Sequence, residues 1–341
     1  MIVRRLLQPE AAASRRAVLR GLASSASALA LGGCAGLAAT GARFDASALS
    51  MRPTLLVATT RKPVSGGRVK PWFGPERALA MSVARAKLVP AEDGRFTMAS
   101  VGLADWRLEA VEPMPGQVSD LLAQAGGRDV LIYVHGFKQT FESAALDAAR
   151  LSDGIRFQGE TMVFAWPSKA GLFDYSYDRE SAMWSRDAFE RVLDSIMANS
   201  GTGRVHIVAH SMGTMLAMES LRQLHARSGE TAGDRIGAVV FASPDIDMDV
   251  FSSSITRIGP LARKITVITA TNDRALNLAG KLAGGITRVG AAEKAALERL
   301  GLRVIDASQY GWGIVNHDLF LSNAEVRQVI RRAVDNPGSD V

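Results

Sequence analysis

The sequence predicts an α/β protein in which a mainly parallel sheet carries helices on both faces. From residue 129 onward, short and continuously apolar runs alternate with segments whose apolar residues recur at helical spacing. A strand covered on both faces needs such an unbroken run. Before that point, apolar and polar residues alternate with period two, as in antiparallel strands with one wet face. The length of 341 residues, with 47% hydrophobic and 22% charged residues, suits a globular chain with a substantial core and excludes a largely disordered one.

Residues 1–33 stand apart from that pattern. Arg4, Arg5, Arg15, Arg16 and Arg20 precede the apolar stretch Gly21–Leu31, which leads to Gly32-Gly33-Cys34. Charged, apolar and small residues in that order read as a secretory signal peptide, and the apolar part is too short for a spanning helix. Ser14–Arg20 resembles a twin-arginine export signal, with Val18 where Phe is commoner. Leu31–Cys34 resembles a bacterial lipobox, in which the thiol of Cys34 is acylated. These resemblances imply an exported chain held in the cell envelope by a lipid anchor, at the outer membrane if the host has one. The other reading is a soluble periplasmic protein cut after Thr40-Gly41-Ala42. Cys34 is the single cysteine, so the body has neither disulfides nor a cysteine-based zinc site.

The leader also accounts for most of the charge. Its five arginines against Glu10 contribute +4 of the formal +6, which leaves only +2 on the rest of the chain. A body so nearly neutral has no basic excess for gripping phosphate backbones, so nucleic acid is not an expected partner.

Residues 34–52 are small and polar and read as a tether. One domain is expected over 53–336, with a short tail over 337–341. Thr54–Ala58 forms the first strand. Leu79, Met81 and Val83 alternate with smaller or polar neighbours, as do Trp106 and Leu108. The buried runs are Val130–Val134, Met162–Trp166, Val205–Val208, Ala238–Ala242, Ile265–Ala270 and Leu302–Ile305. Phe189, Val192, Leu193, Ile196 and Met197 mark one helical face. The last helix is expected to open with Ser322 and Glu325 as a capping box and to stop near Pro337.

Ligands of such sheets gather beyond the carboxyl ends of the strands. After the run Val205–Val208 comes Ala209-His210-Ser211-Met212-Gly213, then a helix with Met215, Met218, Leu221 and Leu224 on one side. Strand, sharp turn, serine and helix make a nucleophile elbow, with Ala209 in place of the usual first glycine.

At this point the sequence resembles the α/β-hydrolase superfamily, in an esterase- and lipase-like bacterial branch. The resemblance covers about residues 53–336. It rests on Val134-His135-Gly136-Phe137, Phe164-Ala165-Trp166-Pro167-Ser168, Ala209–Gly213, Ser243-Pro244-Asp245 and Asn272-Asp273-Arg274-Ala275-Leu276. It implies the α/β-hydrolase fold and a Ser-His-Asp triad acting through an acyl-enzyme. A serine hydroxyl needs a base, and the chain has 5 His. His206 falls inside a strand and His225 near a helix end. His210 adjoins the serine and should point elsewhere, and the family uses the position of His135 to shape the oxyanion pocket. His317, in a loop after the last strand, stands where the family places its catalytic histidine. Asp273 stands at the usual position of the acid, with Asp245 and Asp247 as rivals. The resemblance takes the oxyanion donors from the N–H groups of Met212 and Phe137.

Phe173, Tyr175, Tyr177, Trp184 and Trp312, with His135, are candidates for an acyl pocket, or else for packing between helix and sheet. No phosphate loop, dinucleotide fingerprint or metal-ligand cluster occurs, so no cofactor and no metal are expected. The expected activity is hydrolysis of a small-molecule or lipid carboxylic ester. Thioesters and amides suit the same machinery, and a hydrolase scaffold retained as an inactive envelope binding protein is the reading from another class. The sequence leaves the oligomeric state open.

Overall fold

The computed structural model describes residues 54–90, 106–199, 201–282, 284–310 and 317–338. The expected signal peptide, tether and Cys34 lie outside the described residues, as does Trp312.

Among the described residues, nine strands form one sheet in the order β3-β2-β1-β5-β4-β6-β7-β8-β9. β1 (Thr54–Pro63), β2 (Phe73–Pro90) and β3 (Trp106–Pro113) pair antiparallel at one edge. β1 is parallel to β5 (Glu160–Ala165). The remaining strands, β4 (Val130–Val134), β6 (Val205–His210), β7 (Ile236–Ala242), β8 (Ile265–Thr269) and β9 (Arg303–Asp306), continue the parallel part. The helices are α1 (Val118–Leu122), α2 (Phe141–Gly154), α3 (Tyr175–Trp184), α4 (Arg186–Ala198) and α5 (Gly213–Ser228), followed by α6 (Met248–Arg257), α7 (Arg274–Leu282), α8 (Lys294–Glu298), α9 (Leu319–Ser322) and α10 (Ala324–Asp335).

Alternate residues of each parallel strand feed different cores. Ile132, Val134, Ile207, Ala209, Val239 and Phe241 pack with Leu121, Val192, Leu216 and Phe251 from α1, α4, α5 and α6. Leu131, Tyr133, Val163, Val208 and Val240 pack on the other face with Phe141 and Ala145 of α2 and Val326 and Ile330 of α10. This two-sided burial is why the central strand runs are so apolar: each fully buried Val, Leu, Ile or Phe gains about 1.5–3 kcal/mol from whichever face it joins.

Two expectations are corrected. Leu79 is fully exposed instead of facing the core, because the β1–β2 register shifts between Thr59↔Ser82 and Arg61↔Arg77 and leaves it in the bulge. The last helix opens at Asn323, whose side chain accepts from the N–H groups of Glu325 and Val326. Ser322 instead ends α9, its hydroxyl donating to the Asp318 carbonyl. Two polar residues in succession hid the true cap.

Backbone crowding is greatest where α5 begins. A β-carbon on Gly213 would drive into the carbonyl oxygen of His135 and come within 2.8 Å of that of Val134. We expect Gly213→Ala to lower the unfolding free energy by about 1–3 kcal/mol in urea titrations. Gly233→Ala, at a position open on all sides, should stay within about 0.5 kcal/mol of the parent.

Candidate active site

Ser211 directly follows β6 and stands in the left-handed region, at φ 50°. Such a conformation in a non-glycine residue costs on the order of 1–3 kcal/mol and persists only where the surroundings impose it. Here its N–H donates to Ala242 O at 2.9 Å, and its carbonyl accepts from Asp245 N at 3.2 Å and Thr214 Oγ1 at 2.6 Å. From the β4 side, a β-carbon on Gly136 would stand 3.0 Å from Ser211 Cβ. Met212, fully buried, caps α5 just after it. The turn, the start of α5 and the loop after β4 are thus in backbone contact.

Asp273 follows β8 and is completely buried. Its Oδ1 accepts from Ala275 N at 2.9 Å and Leu276 N at 3.1 Å, which caps α7. Its Oδ2 lies 2.8 Å from His317 Nδ1. A carboxylate only accepts, so Nδ1 carries the proton and Nε2 keeps its lone pair. Burial opposes a charge on His317, but the hydrogen bond and charge of Asp273, aided by Asp318 and Asp245, outweigh it and raise the pKa above 6.5.

His317 rests on the residue next to the serine. The rings of His210 and His317 lie 4.7 Å apart, and His210 also stacks on Phe320 at 4.6 Å. His210 Nε2 stands 3.0 Å from the His317 carbonyl oxygen, so it is the donor, and the buried Nδ1 has no partner among the described residues. Burial, then His317, lower the His210 pKa to about 3, which keeps it neutral. The sequence alone predicts that this side chain points elsewhere; packing turns it toward His317. Its place directly before Ser211 was the available signal, but ring direction in a strained turn is set by tertiary packing.

Asp245 does not reach His317. Its carboxylate takes the Tyr175 hydroxyl at 2.7 Å and lies 3.0 Å from Arg288 Nε. Asp245 and Arg288 are both buried. Tyr175 in turn meets the Phe137 ring edge-on at 5.5 Å. Asp247 is spent on capping α6.

The aromatic candidates separate. Among the described candidates, Tyr175 alone stands beside the serine turn. Tyr177 donates to Pro75 O at 3.2 Å and faces Arg77, as does Trp184, so both brace the β2 edge. Phe173 is fully exposed. His135 does not front a pocket: it is buried and stacked on Trp166 at 4.5 Å, and Trp166 Nε1 donates to its carbonyl at 2.8 Å. Burial first, then the charge of Arg61, lower the His135 pKa to about 3.

The loops after β4 and β5 are tied by a network that the sequence did not reveal. Buried Arg61 donates to the carbonyls of Ser168, Gln139 and Gly74 at 3.1, 2.6 and 3.3 Å. Asp178 accepts from Lys169 N at 2.9 Å, Lys138 N at 3.3 Å and Ser168 Oγ. No cluster of His, Cys, Asp and Glu suited to a metal occurs among the described residues, and no described helix is long and apolar enough to cross a membrane.

A mainly parallel sheet with a left-handed serine at a strand end and a carboxylate-bound histidine beyond it defines an α/β-hydrolase architecture. Residues 115–333 match the family described as alpha/beta hydrolase of unknown function (DUF900), and the chain belongs to that family. An uncharacterized protein of Nostoc sp. is 33% identical over 61 residues, which are 18% of this chain and 16% of that protein. The chain thus spans about a sixth of that relative's length. Similar solved structures include a Trichoderma reesei cutinase in complex with a phosphonate inhibitor, at 14% identity and TM-score 0.33, covering 65% of this chain and 89% of that one. Another is Est1E from Butyrivibrio proteoclasticus, at 11% identity and TM-score 0.39, covering 73% and 93%.

The Asp245 network generates a stability prediction. Asp245→Asn leaves the buried Arg288 charge without its anion and should lower the unfolding free energy by about 3–5 kcal/mol. Tyr175→Phe, which removes one hydroxyl, should cost about 1 kcal/mol in the same denaturation series.

Proposed function

We propose that the protein is a serine hydrolase that cleaves carboxylic esters, with Ser211 as nucleophile, His317 as base and Asp273 as the group that orients it. The observation that carries this reading is the 2.8 Å pairing of His317 Nδ1 with Asp273. It leaves Nε2 free to take a proton, on a histidine packed against the neighbour of Ser211.

The chemistry follows from those atoms. Ser211 Oγ attacks the acyl carbon as its proton passes to His317 Nε2, and the Asp273 anion stabilises the imidazolium that forms. The N–H groups of Met212 and Phe137 receive the oxyanion, which an ordered pair of donors holds without reorganisation. His317 then gives its proton to the leaving alcohol. Water, activated by the same histidine, hydrolyses the acyl-enzyme and restores Ser211. His210 is a positioning residue in this scheme: its N–H holds the His317 carbonyl and its ring backs the imidazole. Thioesters and amides follow the same steps. The leader motif extends the proposal to an envelope enzyme anchored through acylated Cys34.

Fluorophosphonate labelling of the full-length chain, with Ser211→Ala as the blank, is the direct test. We expect the parent to label and to hydrolyse p-nitrophenyl acetate, and Ser211→Ala to lose both, with kcat down by roughly 10⁴-fold or more. A folded parent that neither labels nor turns over acyl esters would sink the reading and favour a binding scaffold.

The pH profile supplies a second test. His317 must be neutral to accept a proton, so kcat/KM should fall with acid along a limb centred above 6.5, where Asp273 holds the pKa. Asp273→Asn removes the anion; the limb should move to lower pH while kcat drops roughly 10³–10⁴-fold.

A further inference from the structure

A groove of about 260 Å³ runs over α5 between α3 and α6, both of which pack on α5. Its walls come from one face of each helix. Tyr175 is followed by Arg179 and Met183 at four-residue steps along α3, and Arg179 and Met183 line the groove. Met215 and Met218 on α5, and Ile246 and Val250 on the α6 side, complete its apolar surface.

Those residues lead from the site already described. Met215 lies four residues beyond Ser211, about one helical turn. Ile246 follows Asp245, whose N–H bonds the Ser211 carbonyl and whose carboxylate holds the Tyr175 hydroxyl. Phe137 meets Tyr175 edge-on, and Phe137, Tyr175 and Met215 are all partly buried apolar side chains packed against the same core.

Building on the serine-hydrolase reading, we propose that this groove takes an unbranched, medium-length acyl chain of the substrate ester. With the ester carbon at Ser211, the chain passes Phe137 and Tyr175 and lies along Met215, Met218 and Val250. At the ~30 Å³ of one water-sized group, the volume holds about eight or nine carbon-sized units. Thioether side chains are flexible and polarizable and fit chains of varied length. The charged residues on the groove wall cancel, Arg179 and Arg222 against Glu180 and Glu219, and Arg222 is bonded to Glu219. They give an ionic ligand no net attraction. A protein partner needs an interface of roughly 1,000 Å² or more, far beyond a cleft of this size.

The experiment is a p-nitrophenyl ester ladder from acetate to dodecanoate on the full-length chain. Each methylene that enters the groove should raise kcat/KM by up to about fourfold, so the profile should climb through octanoate and level only at longer chains, since the first carbons span Phe137 and Tyr175. Met215→Trp, near the serine, should lower the octanoate-to-acetate ratio at least about tenfold. Val250→Trp, at an exposed position farther along, should cut only the chains longer than about hexanoate. A flat ladder in the parent, or ratios unmoved in both folded variants, overturns the groove while leaving the hydrolase reading intact. If no ester is cleaved, binding of methyl octanoate to Ser211→Ala by calorimetry decides. Affinity that falls about tenfold on adding Val250→Trp supports the groove, and equal affinity or no binding overturns it.

Discussion

The closeness of three backbone segments around residue 211 is the constraint on which the rest of the molecule depends. β6, the start of α5 and the loop after β4 meet at distances that leave no room for a β-carbon at Gly213 and very little at Gly136. The left-handed turn of Ser211 is held from both sides by hydrogen bonds to Ala242, Asp245 and Thr214. Its conformational cost is met by the parallel sheet and two hydrophobic cores, which bring these segments together whatever the turn prefers.

Around that point the fold uses buried polar groups to position loops. Arg61 spends its guanidinium on three backbone carbonyls, and Asp178 gathers donors from the loops after both β4 and β5. Burial pulls the Arg61 pKa down to about 10 against the charges of Asp178 and Glu142, so it remains a cation at neutral pH. Buried charges of this kind are tolerated when most of their hydrogen-bonding capacity is met, and they then specify one loop arrangement over its neighbours. The Tyr175–Asp245–Arg288 group plays the same part on the other side of the serine turn.

The sheet was legible because strands buried on both faces must be apolar without interruption, and β4 is seen with the bounds expected from its run. The hydrogen bond between Asp273 and His317 matches what the family resemblance implied, with both residues on loops at the same end of the sheet. What the sequence withheld was direction. Period-two alternation could not show the bulge that throws Leu79 outward, and the aromatic content of residues 173–184 could not show that Tyr177 and Trp184 turn toward Arg77. His135 and His210 look alike as histidines beside glycine or serine. Tertiary packing alone seats one beneath Trp166 and the other against His317.

Asp273 divides its carboxylate, one oxygen closing the first turn of α7 and the other gripping an imidazole from a distant loop. The start of α7 and the His317 imidazole therefore share a single group, and neither can drift without the other. Under the mechanism proposed above, fraying of that helix start would release the histidine, so heat should silence catalysis at temperatures where most of the protein is still folded.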